Sequence, residues 1–170
     1  MVDKSAKNSL NRLFKSLFEF PNPVNEVAAR MVAAMVMLLT VATILTGEIW
    51  LAVFLAYGFW ARVITGPTLS PMGQLATRFL APKSGIAPKL VAGPPKRFAQ
   101  FVGLIFSTTA FVLIHFFDEQ SIANIILGVL ALFAFLESVV GFCAGCFVFS
   151  YMMRWGLVPE SICEKCVVRQ

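Results

Sequence analysis

The sequence predicts an all-α, polytopic membrane protein with four transmembrane helices, and three observations lead there. The chain of 170 residues is 58% hydrophobic and 14% charged, with a mean hydropathy of +0.80, too apolar for a soluble domain of this length. Apolar runs over 28–46, 49–65, 98–117 and 122–150 reach the roughly 17–25 residues that a bilayer core requires. Short acidic turns, Gly47-Glu48 and Asp118-Glu119-Gln120, join the runs in pairs, while a long basic segment joins the pairs to each other.

Taken in order, the chain begins with Lys4, Lys7, Arg12 and Lys15 scattered among apolar residues. It has no continuous apolar core before a small-residue cleavage site, so no removable signal is expected. In 9–20, Leu10, Leu13, Phe14, Leu17 and Phe18 recur at steps of three and four opposite Asn11, Arg12, Lys15, Ser16 and Glu19, the pattern of an interfacial helix lying in the headgroup layer. Pro21-Asn22-Pro23 ends it and admits the first span, 28–46. The second, 49–65, delivers the chain to the loop 66–97.

That loop opens G-P-T-L-S-P, Gly66 to Pro71. Ser70 before Pro71 reads as an N-cap with proline at the first helical position. Met72, Leu75, Ala76, Phe79 and Leu80 then form the apolar side of a second interfacial helix. From Ala81 to Arg97 the density of Pro and Gly predicts a connector rather than a long helix. The run 122–150 exceeds what a bilayer core needs, so one end is expected to be tilted or interfacial, and 151–170 is left as a tail.

All 14 Lys and Arg residues fall in three segments: the N-terminal part with Arg30, the central loop with Arg62, Arg78, Lys83, Lys89, Lys96 and Arg97, and the tail with Arg154, Lys165 and Arg169. Basic flanks stay on the cytoplasmic side of a cell (inner) membrane, so both termini and the central loop are expected inside. Attraction to anionic lipid headgroups accounts for the net charge of +5, and no nucleic acid partner is needed. No phosphate-binding loop and no Ser/His/Asp arrangement occurs; the single histidine, His115, is expected to be an interfacial hydrogen-bonder.

Glu137 is an acid inside the fourth run, where a carboxylate must be paired, protonated or facing water. Arg62 and Arg97, at the inner ends of neighbouring spans, are its expected partners. It serves either as a packing residue or as part of a proton or substrate pathway. Further on stands G-F-C-A-G-C, Gly141 to Cys146. On one continuous helix Ala134, Ser138, Gly141 and Gly145 form a small-residue stripe for close packing, and Cys143 and Cys146 share a different face. Twenty residues beyond Ile122, the thiols come to the inner end of the span, a reducing side. A C-x-x-C there can cycle between dithiol and disulfide or pass sulfur, with Arg154 helping to hold a thiolate. Alternatively Cys143, Cys146, Cys163 and Cys166 make C-x₂-C-x₁₆-C-x₂-C, a spacing that closes a tetrahedral zinc site.

With G-P-T-L-S-P and G-F-C-A-G-C in place, the chain from about Val24 to Tyr151 resembles a family of small bacterial integral-membrane proteins catalogued only as a domain of unknown function. The resemblance carries over Gly66, Pro67, Ser70, Pro71, Cys143 and Cys146. It implies a thioredoxin-like or sulfurtransferase partner on the cytoplasmic side. Cys163 and Cys166 lie outside it, which counts against the four-cysteine zinc site. The leading expectation is therefore a protein that handles thiols or reduced sulfur through Cys143 and Cys146. A permeation unit built on Glu137, as a homo-oligomer, and a structural subunit of a membrane complex are the competing ones.

Overall fold

The computed structural model describes residues 22–156; the interfacial helix expected over 9–20 and the cysteines of the tail lie outside them. The described chain is mostly helical. It comprises β1 (Val24–Asn25), α1 (Glu26–Thr46), α2 (Ile49–Thr65), α3 (Pro71–Leu75, continued by a π-helical turn Ala76–Leu80 and by Ala81–Lys83), β2 (Leu90–Val91), α4 (Gly93–Phe116), α5 (Gln120–Phe135, continued by a π-helical turn Leu136–Val140) and α6 (Ala144–Arg154). Three helices are long and apolar enough to cross a membrane: Glu26–Thr46, Gly93–Phe116 and Gln120–Val140. The apolar α2 has 17 residues, about 25 Å at 1.5 Å per residue.

Local chemistry sets each boundary. Asn25 caps α1 by accepting from the Val27 N–H at 3.0 Å, and Gly47, left-handed at φ 67°, ends it. Within α1, Thr40 and Thr43 donate their hydroxyls to the carbonyls of Val36 and Leu39 at 2.7 and 2.8 Å, which lets both be buried at no polar loss. Gly66 closes α2 at φ 64°, ψ −137°, a conformation that side-chain-bearing residues avoid. Ser70 caps α3 as expected, accepting from the Gly73 N–H at 3.2 Å, with Pro71 in the first turn.

α1, α2, α4 and α5 pack in a closed ring in which α2 touches α1 and α4, and α5 touches α4 and α1. The contact faces carry small residues. Ala28, Val32 and Val36 of α1 meet Ala123, Leu127, Leu130 and Ala134 of α5 in the core. At Gly103 of α4 the Phe59 ring lies so close that an added Cβ would stand 2.2 Å from Phe59 Cε1. Small residues at such spacing bring backbones together where apolar surroundings supply little other drive.

Three expectations are corrected. The helix that carries the third apolar run begins at Gly93, ahead of 98, because Pro94 and Pro95 occupy the first helical turn, where missing N–H groups are tolerated. The connector expected from Ala81 to Arg97 begins with the helical end Ala81–Lys83 and contains β2, which pairs antiparallel with β1, Val24 opposite Val91. The run 122–150 is not one helix: α5 ends in a π-helical turn, Gly141 turns left-handed at φ 77°, and α6 starts anew after Cys143.

Candidate functional site

The break in the last run is built by residues far apart in sequence. A helix that stops leaves its final carbonyls without partners. Arg30 of α1 supplies them: its Nε donates to Ser138 O at 3.1 Å and Nη2 to Val139 O at 2.8 Å. A cation at this place also suits the helix dipole. The left-handed Gly141 lies against the same guanidinium and directs the chain into α6.

Cys143 is the N-cap of α6. Its Sγ accepts from the Cys146 N–H at 3.3 Å, and the Cys146 S–H donates to it at an Sγ–Sγ separation of 2.7 Å. Both are free cysteines and partly buried. The sequence placed the thiols together because they share a face of a continuous helix; they are together because one caps the helix on which the other sits. Gly145 presses α6 onto α4, where an added Cβ would stand 2.6 Å from Ala99 Cα, and Phe149 meets Phe98 at 5.7 Å between ring centres. Gly141 and Gly145, expected as one packing stripe, therefore do different work: one turns the chain, the other packs.

The same end of the molecule holds the buried ion pair. Lys96, in the first turn of α4, donates to Glu137 Oε1 at 2.7 Å, with side chains 8% and 14% exposed. Arg62 and Arg97, the expected partners of Glu137, are engaged elsewhere. Arg62 donates to Gln100 Oε1 at 2.7 Å and to Ser70 Oγ at 3.2 Å, and Arg97 donates to Val63 O at 3.1 Å. Sequence reasoning missed Lys96 by counting it among loop charges; Pro94-Pro95, read as a helix start, would have put it in α4. Arg154 is also not the cation beside the thiols. It ends α6, about 12 Å along the axis from Cys146 at 1.5 Å per residue, while the charges acting on both thiols are Lys96 and Glu137.

Both thiols lie beyond Val140, where the last of the long apolar helices ends. The hydrogen bond from Cys146 holds the Cys143 thiol below its ordinary pKa, against burial and the Glu137 charge, with help from Lys96. The same bond, with burial, pushes Cys146 up. Both shifts favour the anion on Cys143 over Cys146. Cys143 and Glu137 also line a largely apolar cavity of about 280 Å³ between α1, α4, α5 and α6, large enough for a partner's side chain or a small sulfur compound.

Among the described residues no group of three or more His, Cys, Asp or Glu is placed to hold a metal ion. Cys143 and Cys146 are half of the expected zinc set, and Cys163 and Cys166, the other half, lie outside those residues. His115 ends α4 stacked on Phe111, with ring centres 5.7 Å apart. Gly66, Pro67, Ser70 and Pro71 shape the α2–α3 junction: Gly73 approaches Pro67 so closely that an added Cβ would lie 2.8 Å from its Cα, and the Gln74 side chain donates to Thr68 O.

No curated protein and no solved structure matches the chain. The model of the family described as Domain of unknown function (DUF4395) matches residues 24–154, which hold the helical ring, both motifs and the Cys143/Cys146 pair, and the chain belongs to that family.

Proposed function

We propose that the protein is a four-span membrane protein that exchanges thiol and disulfide with a soluble partner through Cys143 and Cys146. The observation that carries the reading is the cap geometry: Cys143 Sγ accepts the Cys146 N–H at a helix N-terminus, with the Cys146 sulfur 2.7 Å away. A disulfide on the partner supplies the oxidant. Cys143 thiolate attacks one of its sulfurs, an S–S bond forms between them, and the partner's second sulfur leaves as thiolate. Cys146 loses its proton and attacks Cys143 Sγ; the partner's first sulfur departs, and an intramolecular disulfide remains. Two electrons pass to the partner, and reversal of the same steps reduces the protein.

Topology follows from charge. Arg30, Arg62, Lys96 and Arg97 gather at the end of the ring that carries the thiols, while Glu48, Asp118 and Glu119 mark the other. By the positive-inside tendency this places the thiols and both termini on the cytoplasmic side. In that reading α2 is the fourth span, and its shortfall against a hydrocarbon core of about 30 Å is met by local thinning. The ring's exposed apolar side chains, Leu38, Leu45, Phe54 and Trp60 among them, then face lipid.

The test is mass-tagged alkylation of the purified full chain, poised across ratios of reduced to oxidised dithiothreitol. Cys143 and Cys146 are expected to become protected together, with one midpoint, and Cys143→Ser is expected to abolish that protection. Alkylation of both thiols that ignores the poise while the protein stays folded overturns the proposal.

A further inference from the structure

Beside the dithiol lies a second unusual feature, which does not depend on the exchange chemistry. Arg62 is 4% exposed and lies within the helical ring, its guanidinium carbon 4.5 Å above the Phe59 ring. Gly58 makes room for it, since an added Cβ there would stand 3.3 Å from Nη1. Nε and Nη1 have neutral partners, Gln100 and Ser70. Nη2 is buried without a hydrogen-bond partner.

Charge is short as well. The carboxylate whose field reaches Arg62 is Glu137, and its Oε1 is taken by Lys96 at 2.7 Å. Two buried cations therefore share one carboxylate, and the Cys143 thiol lies beside Lys96, not Arg62. Burying a cation without a counter-charge is costly, and leaving one of its donors unmet adds to that cost. Arg62 and Lys96 both line a cavity of about 160 Å³, in which Gln100, Thr77 and Asn25 are the other polar residues and Val24, Ala28 and Val32 form an apolar side. That is several water volumes of roughly 30 Å³ each, enough for a tetrahedral oxyanion group.

We propose that this cavity binds an oxyanion of the phosphate or sulfate class, held by Arg62 through the unpartnered Nη2, the buried cation that has no anion in direct contact. The planar guanidinium suits such a group. The G-P-T-L-S-P segment acquires a purpose: Gly66 and Pro67 form the wall, and Ser70 fixes the guanidinium. Free phosphate or sulfate and the phosphate of an anionic lipid headgroup offer the same chemistry.

The experiment is thermal unfolding of the full chain in neutral detergent, titrated with inorganic phosphate or sulfate at constant ionic strength. In parallel, bilayer discs of phosphatidylcholine with increasing phosphatidylglycerol are compared. A saturable rise in Tm in the first series assigns the site to a free ion; one confined to the second assigns it to a headgroup. Saturation separates binding from the general effect of excluded salts. Gln100→Glu sets a carboxylate against Arg62, and is expected to raise the unliganded Tm and weaken the response about tenfold or more, the worth of one charge-assisted contact. No saturable rise in either series, or an unaltered response in Gln100→Glu, overturns the proposal. Should Gln100→Glu fail to fold, Arg62→Lys keeps the charge and loses the fork, and an unchanged response there overturns it equally.

Discussion

Cys143 differs from Cys146 although both are cysteines one helical turn apart, because only one of them is a cap. The N–H and S–H of Cys146 both point at Cys143 Sγ, so the anion is favoured on Cys143. Anion stabilisation lowers a thiol's pKa, and its alkylation rate should reach half-maximum at a pH below the ordinary value of about 8.5. Cys146→Ala removes the S–H donor, so the midpoint is expected to move upward; rates of iodoacetamide labelling against pH measure it. Lys96 is the second decisive residue. Lys96→Met leaves Glu137 buried without its partner, and should cost about 3–5 kcal/mol in thermal or denaturant unfolding. The double variant Lys96→Met/Glu137→Leu removes both charges and should recover part of that loss, short of all of it because Arg62 then loses the carboxylate whose field reaches it; a simple packing role for Lys96 would produce no recovery.

At the scale of elements, the interruption between α5 and α6 makes the site. Gly141 takes a left-handed conformation, which costs a side-chain-bearing residue about 1–2 kcal/mol. Gly141→Ala should destabilise by about that amount and Gly141→Asn by less, since asparagine tolerates the region better. Gly145→Leu acts differently: its side chain would enter the Ala99 backbone, where no flexible neighbour gives way. It should cost about 1–3 kcal/mol by overpacking, and, by lifting α6 off α4, separate Cys143 from Lys96. Unfolding experiments give the first effect, and a rise in the Cys143 labelling midpoint gives the second. A Gly145→Leu protein with unchanged stability and labelling would argue that α6 is not seated on α4.

For the whole molecule, basic residues and thiols share one end, and the acidic turns occupy the other. In inside-out and right-side-out vesicles, a membrane-impermeant maleimide should reach a cysteine placed at Glu48 from the outer side alone. The native Cys143/Cys146 pair should be labelled from the inner side alone. The opposite pattern, or labelling of both from one side, would reverse or break the assigned topology.

Composition and run length determined that this chain is helical and apolar along most of its course, because an 18-residue apolar stretch has few other stable forms. Local chemistry also read true at Ser70 and Pro71, where a cap needs only neighbours in sequence. The break at Gly141 was illegible from sequence because the stripe Ala134, Ser138, Gly141 and Gly145 fits a continuous helix equally well. What ends that helix is Arg30, 108 residues from Ser138 along the chain. For Glu137 the sequence offered two cations, Arg62 and Arg97, and packing chose a third, Lys96, while giving Arg62 to Gln100 and Ser70. Periodicity and capping are local and belong to the sequence; which carbonyls are satisfied, and which buried charges meet, depends on contacts that exist only when the ring of helices has closed.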